Sequence, residues 1–298
     1  MKFSKWILGA ALLFSTQAAS VQGKNACDPC DPCAVKNPCD LCEIDFCDLK
    51  YDFYVDALYW EVCKGDLNVG RNHHDHQEYL SPEFSWGYRL GGAASWRNWD
   101  LGFRWTSLNN KTSSEYAYLR HERAKFHFNY RVLDVELGYT CCMDCGPFSF
   151  RPFVGGKFAW IKDHFDKESG GEANSRIKNK SEGLYIGSSA KWELCKYTTC
   201  DRTIPISLVA RASAGVLRSK FTQEVEDGNG DIDKEHIYMP YNDVYVGLDF
   251  AFCDMCGWDA FFQVGYEAQH FGWRQYNHRE HTTDLGLGGL VLRFGADF

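Results

Sequence analysis

The chain has 298 residues, fourteen cysteines and a formal net charge of −8. This acidic balance, with no cluster of basic residues along the sequence, argues against nucleic acid or anionic lipid as a partner. Beyond the N-terminus no segment offers 18 consecutive apolar residues, which excludes a helical membrane protein.

The N-terminus has the pattern of a secretory signal peptide. Two lysines precede an apolar run, and three small residues follow it: Lys2, Lys5, 6–14, Ala18, Ala19 and Ser20. An apolar run of about nine residues is too short for a membrane helix, which needs ~20. We therefore predict a signal peptide over residues 1–23, cleaved after Ser20 or Gly23. A Cys-, Pro- and Asp-rich periplasmic segment follows over residues 24–49.

The rest of the chain alternates apolar and polar residues with the period of β-strands. The first clear hairpin covers residues 84–107, with a tight turn at Arg97-Asn98. Ten strands are predicted at 51–62, 84–96, 99–107, 126–140, 148–162, 183–194, 204–217, 244–252, 258–270 and 285–298. The connections alternate between short turns, at 97–98, 141–147, 195–203 and 253–257, and long polar loops, at 63–82, 108–125, 163–182, 218–243 and 271–284.

Short connections on one rim and long ones on the other are typical of outer-membrane barrels. We therefore predict an all-β fold over residues 50–298: a transmembrane antiparallel up-and-down β-barrel of about ten strands, with twelve as the alternative. An even number of strands leaves both termini at the periplasmic rim. A soluble β-sandwich remains the competing interpretation of the same alternation.

In two strands the apolar residues change face, which predicts a β-bulge in each. One change lies between 126–132 and 133–139, and the other follows Leu285 and Leu287. With lipid against the apolar faces, twelve charged residues are predicted to face the lumen, because charge is costly toward lipid: Arg89, Arg104, Arg131, Asp134, Glu136, Lys157, Lys191, Glu193, Arg211, Asp249, Glu267 and Arg293. They either pair across a filled interior or line a narrow aqueous passage.

Four segments resemble the pore-forming major outer-membrane proteins of the Legionella type and their chlamydial relatives: Phe53–Trp60, Val132–Gly138, Arg151–Gly156 and Gly265–Glu267. The terminal Phe298 resembles the assembly signal of bacterial outer-membrane barrels. The resemblance implies a porin-like barrel without catalytic residues, in the outer membrane of a Gram-negative-type bacterium. The cysteine load resembles the chlamydial variant, whose surface proteins are cross-linked by disulfides.

Thirteen of the fourteen cysteines fall in the N-terminal segment or beside the short turns, and only Cys63 lies at the other rim. The thirteen are Cys27, Cys30, Cys33, Cys39, Cys42, Cys47, Cys141, Cys142, Cys145, Cys195, Cys200, Cys253 and Cys256. Because an exported chain meets an oxidising compartment, disulfides within this rim, to another copy or to other Cys-rich envelope proteins are the main prediction. Four Cys-x-x-Cys pairs keep zinc as the weaker alternative, and no cofactor is predicted.

The leading functional hypothesis is passive diffusion of small hydrophilic solutes or ions through the barrel, with outer-membrane lipid around it. The alternative is a structural, disulfide-linked envelope protein or an adhesin. A less favoured hypothesis, an omptin-like protease, rests on His278, His281 and Asp284 in one outer loop. No enzyme activity is expected, and the sequence leaves the solute and the oligomeric state open.

Overall fold

A computed structural model describes residues 49–64, 68–71, 77–79, 82–116, 122–142, 147–167, 175–198, 203–225, 233–252, 258–272 and 284–298. The predicted signal peptide and most of the Cys-rich segment lie outside these described residues. Within them, no helix is long and apolar enough to cross a membrane.

The described residues form thirteen strands, ten of them long. Their bounds are β1 Leu49–Lys64, β2 Asn68–Arg71, β3 Gln77–Tyr79, β4 Ser85–Trp96, β5 Trp99–Tyr116, β6 Glu122–Tyr139, β7 Cys141–Cys142, β8 Phe148–Lys167, β9 Ser175–Thr198, β10 Thr203–Val225, β11 Asp233–Phe252, β12 Asp259–Phe271 and β13 Leu285–Asp297. The short β2 and β3 pair with each other, and β7 is a two-residue strand on β8.

The ten long strands close into one antiparallel barrel. Each pairs with the next long strand along the chain, β6 pairs with β8, and β1 pairs with β13 over Asp52–Lys64. Closure satisfies the backbone groups that an open sheet edge would expose to lipid. The predicted up-and-down barrel of ten strands is therefore confirmed.

The first and last strands meet at two places that depend on particular residues. At the end of the chain, the Phe298 N–H donates to the Tyr51 carbonyl at 2.8 Å, and the Tyr51 N–H donates to the Phe298 carbonyl at 3.2 Å. Further along the same two strands, Gly289 has a φ of +158°, and a Cβ there would lie 2.1 Å from the Tyr59 carbonyl oxygen. Only glycine permits this close approach of the two strands.

Neither predicted bulge is present. The pairing of β6 with β5 and with β8 runs without a register shift, and so does that of β13 with both of its neighbours. One alternating set of β6 is therefore buried from Phe126 to Glu136: Phe126, Phe128, Tyr130, Val132, Asp134 and Glu136. The apolar residues change face because the surroundings change along the strand, while the backbone continues regularly.

The long loops were predicted too long. The structure continues β5 to Tyr116, β8 to Lys167 and β10 to Val225, all within segments that the sequence indicated as loops. Lysine, serine, threonine and asparagine are frequent there, so the apolar alternation that marked the lower strands is lost. The turn at Arg97-Asn98 is as predicted, and Arg97 adopts a positive φ of 54°. Following the predicted orientation, we call the rim that holds this turn and Phe298 the periplasmic rim, and the opposite one the outer rim.

Candidate functional site

The outer half of the barrel interior is packed mainly by rings and aliphatic side chains, with a few buried polar residues such as Asn110, Asn179 and Ser219 among them. We call the rings and aliphatic side chains the aromatic layer, and each member is at most 2% exposed: Leu58, Trp60, Val62, Leu108, Phe126, Phe128, Tyr130, Leu217, Met239, Tyr241, Phe271, Leu285 and Leu287. Tyr130 of β6 meets Phe271 of β12 across the interior at a ring-centroid distance of 6.0 Å, and Phe271 meets Tyr241 at 5.0 Å. The contact of Tyr130 with Phe271 therefore spans the barrel interior at this depth.

The periplasmic half holds a layer of ion pairs, which we call the charged layer. Its first group joins four strands. Arg89 of β4 donates two hydrogen bonds of 2.8 Å to Glu267 of β12 and one of 3.2 Å to Asp56 of β1. Arg293 of β13 donates to the same Asp56 at 2.8 and 3.0 Å. Strand alternation places all four side chains inside, and the barrel's closure brings them together.

The second group is centred on Glu136 of β6. Its carboxylate accepts hydrogen bonds from Arg211 and from the Tyr185 hydroxyl, the latter at 2.9 Å, and it lies 3.0 Å from Arg104. Two residues away, Asp134 lies 2.5 Å from the Lys157 ammonium and 3.3 Å from Arg104. Each buried charge therefore faces an opposite charge, which offsets part of the cost of removing it from water.

A hydrogen-bond chain connects the two layers. The Tyr130 hydroxyl donates to Gln269 at 2.6 Å, and the Gln269 amide donates to Glu267 at 2.7 Å. Glu267 in turn accepts from Arg89. A displacement of the Tyr130 ring would therefore disturb the hydrogen bonds of Gln269 and, through them, the ion pair of Glu267 with Arg89.

A cavity of about 340 Å³ lies within the charged layer. Its charged lining consists of five arginines and four carboxylates: Arg89, Arg104, Arg151, Arg211, Arg293, Asp52, Asp100, Glu136 and Glu267. A space of this size and polarity can hold several waters or a small hydrophilic solute.

Asp243 of β11 is a buried acid with weak pairing among the described residues. It is 1% exposed, neither carboxylate oxygen has a hydrogen-bond partner within the described protein, and its ion pair with Arg211 is long, at 3.9 Å. Ser213, its register partner on β10, also has a hydroxyl without a protein partner among the described residues. A polar solute or water near these groups would find free hydrogen-bonding atoms.

The chain matches the family model described as Legionella pneumophila major outer membrane protein precursor over residues 47–297. The match covers the whole barrel. The chain belongs to the Legionella major outer membrane protein family. Its membership and its barrel place it in the outer membrane of the cell. No curated protein sequence matches the chain.

Two of the solved structures that resemble the chain share little sequence with it. Outer membrane protease OmpT from Escherichia coli has 10% identity, with 84% of this chain and 96% of that chain covered and a TM-score of 0.49. A major outer membrane protein from Thermus thermophilus has 12% identity, with 84% and 99% covered and a TM-score of 0.38. The fold assignment therefore depends on the chain's own strand pairing.

The structure gathers most of the predicted lumen residues in the charged layer of this Legionella-type barrel: Arg89, Arg104, Asp134, Glu136, Lys157, Arg211, Asp249, Glu267 and Arg293. Lys191 lies 2.6 Å from Asp249, with half of its side chain exposed, and Glu193 pairs with Lys196 at 3.4 Å near the periplasmic rim.

Arg131 is the exception and corrects the prediction. It is exposed, whereas its neighbours Tyr130 and Val132 are buried, so it lies on the outer surface of the barrel. Its inward placement followed from the bulge that β6 does not have. The sequence analysis also missed Asp56, which alternation on β1 could have identified because Val55 and Ala57 occupy the opposite face.

Of the predicted disulfide cysteines, the structure describes the thiols of Cys141 and Cys195. Both are exposed and free, as is Cys63 at the outer end of β1. The side chains of the other candidates lie outside the described part, so their pairing stays a prediction.

The residues of the protease hypothesis are only partly described. Asp284 lies 3.2 Å from His270 at the outer ends of β13 and β12, with 60% of the Asp284 side chain exposed. His278 and His281 lie outside the described residues. Family membership points to an outer-membrane barrel.

Proposed function

We propose that this protein is an outer-membrane channel for small hydrophilic solutes or ions, with passage controlled by the aromatic layer. The observation that carries the proposal is the cavity of about 340 Å³ in the charged layer. An interior built only for stability would be filled more cheaply by apolar side chains, because burying charge costs free energy even when it is paired. A charged cavity instead gives a hydrated solute a place to bind.

The aromatic layer restricts the passage of solutes through the barrel. Its rings meet across the barrel, so a solute that enters the cavity needs displacement of side chains such as Tyr130 and Phe271 to reach the outer rim. Side-chain rotations of this kind are local and leave the strand pairing intact. We therefore expect small, intermittent conductance, with only weak ion selectivity because five arginines face four carboxylates.

Planar-bilayer recording of the refolded full-length protein tests this proposal. The informative variant is Tyr130→Ala with Phe271→Ala, which removes the two rings that meet between β6 and β12. Its unit conductance should exceed that of the wild type, because the layer is opened at their point of contact. The matched control is Leu137→Ala with Tyr266→Ala, which truncates two lipid-facing side chains on the same strands.

The control should conduct as the wild type does. Folding of each preparation is verified by its heat-dependent migration in gels. If correctly folded wild-type protein and the opened variant both give no conductance steps across repeated preparations, the channel proposal is wrong.

The second candidate is a structural role, in which the periplasmic rim joins a disulfide network. The exposed free thiols of Cys141 and Cys195 near one rim favour it. Extracted envelopes should then show oligomers without reductant that collapse to monomers with it, and Cys141→Ser with Cys195→Ser should weaken them. Monomeric migration under both conditions would remove this candidate without affecting the channel.

A further inference from the structure

The outer surface of the barrel carries a basic row that the sequence does not reveal. Arg131 of β6 is the register partner of Trp160 on β8, Trp160 is that of Lys180 on β9, and Lys180 is that of Lys220 on β10. Arg131, Lys180 and Lys220 are all exposed. Lys180 and Lys220 are thus direct neighbours on adjacent strands, and Trp160 separates Arg131 from Lys180. We call Arg131, Lys180 and Lys220 the basic row.

The basic row borders the apolar surface of the barrel. Toward the periplasmic rim, beyond Glu182 and Arg218, the outward faces of the same strands become apolar; there Val135, Phe158, Leu184, Ile186 and Val216 are 38 to 71% exposed. Trp160 and Trp105 pack against each other at 6.0 Å at this border. Aromatic residues at the end of an apolar band mark the membrane interface, so the row lies at the depth of lipid headgroups.

The charges of the basic row are available. Within the described residues, Arg131, Lys180 and Lys220 make no ion pair. Arg218 and Lys162, also exposed and outward-facing, extend the positive surface, and the carboxylate of Glu182 beside Arg218 offsets one charge. The row therefore keeps a positive excess even when this acid is counted.

The opposite side of the barrel differs at its outer end. The described outward-facing residues there, on β12, β13, β1 and β4, include no lysine or arginine; they include Tyr59, Glu61, Phe84, Trp86, Asp284 and Gly286. Among the described outward-facing residues, the basic side chains of the outer end are therefore concentrated on the side formed by β6 to β10.

We infer that the basic row binds the phosphate groups of phosphorylated lipids in the outer leaflet. Guanidinium and ammonium groups are the side chains that best bind phosphate, and the adjoining apolar band accommodates the acyl chains of the same lipid. Clustered basic residues beside a membrane attract anionic headgroups through several additive charges. This inference departs from the sequence-based expectation against anionic lipid, which considered only net charge and clusters along the chain.

The test uses the refolded full-length protein in detergent, with lipopolysaccharide that bears its phosphates and the same lipopolysaccharide after enzymatic dephosphorylation. Native mass spectrometry and titration measure the lipid retained. The variant Arg131→Gln, Lys180→Gln and Lys220→Gln should bind the phosphorylated lipid about tenfold more weakly or worse. Dephosphorylated lipid should bind the wild type and the variant equally weakly.

The matched control is Lys50→Gln, Arg97→Gln and Lys196→Gln, which removes three exposed positive charges near the periplasmic rim. It changes the net charge by the same amount and should retain the lipid as the wild type does. If the triple variant of the basic row folds poorly, Lys180→Gln with Lys220→Gln is used instead, and it should weaken binding of the phosphorylated lipid to a smaller extent. Equal retention by the wild type and the basic-row variants, or equal loss in the control, would overturn the inference.

Discussion

The outer and periplasmic halves of the barrel interior differ in their main kind of side chain. In the outer half, Phe126, Phe128 and Tyr130 of β6 lie in the aromatic layer, and in the periplasmic half Asp134 and Glu136 of the same strand lie among arginines and a lysine. The outward face of β6 shows the reverse, since Arg131 is followed by Val135 and Leu137 toward the periplasmic rim. On this one regular strand, the apolar side chains therefore face the interior in the outer half and face outward in the periplasmic half.

The physical reason lies in what each half contacts. Outside the periplasmic half is lipid, which demands apolar side chains and leaves the charges to the interior. Beyond the apolar band the outward face meets headgroups, where charge is favourable, and the interior is then free to pack aromatic residues. The comparison predicts that mutations in the two halves act through different interactions.

The largest effect is expected for Arg89→Ala in the charged layer. The substitution leaves Glu267 without its two-bond partner and Asp56 with Arg293 alone, at sites that are at most 2% exposed. Uncompensated buried charge should cost about 3–5 kcal/mol of unfolding free energy. Urea unfolding of the protein in detergent or lipid measures it.

Arg131→Ala is the comparison variant, because Arg131 is exposed and outward-facing on the described surface. Its effect on stability should stay within about 0.5 kcal/mol. A loss of unfolding free energy as large as that of Arg89→Ala would contradict this placement. It would show that Arg131 faces the interior, as a bulge in β6 would require.

The next effect is expected for Phe128→Ala in the aromatic layer. This ring is 1% exposed and lies between Phe126 and Tyr130, with centroids 6.2 and 6.3 Å away. Its removal should cost about 3 kcal/mol through lost burial and the remaining cavity. Leu137→Ala, on the lipid-facing side of the same strand, should cost clearly less, and equal losses would contradict a packed outer half.

The smallest effect is expected for Tyr130→Phe, which keeps the ring and removes the hydroxyl that donates to Gln269 at 2.6 Å. Loss of this one hydrogen bond should reduce stability by about 1 kcal/mol. The informative readout is a double-mutant cycle with Gln269→Leu. Additive losses in that cycle would show that the two layers are not connected through this bond.

Much of the fold could be predicted from the alternation of residues. It located all ten long strands and the turn at Arg97-Asn98, and it assigned Phe298 to the strand that closes the barrel. The predicted loops 108–125, 163–182 and 218–243 were too long, because above the lipid boundary both faces of a strand can be polar and the alternation loses its contrast. The charged residues of the strand segments within the apolar band were identified because there one face of each strand is apolar and the other is polar.

The sequence by itself determined which residues share a face of each strand, since side-chain direction follows from strand geometry alone. Only the tertiary structure decided which face is the interior at each depth. It also brought Arg89, Asp56, Glu267 and Arg293 from four strands into one ion-pair group, and Arg131, Lys180 and Lys220 into one basic row. These groupings depend on the register between strands distant in sequence, and that register is established by barrel closure.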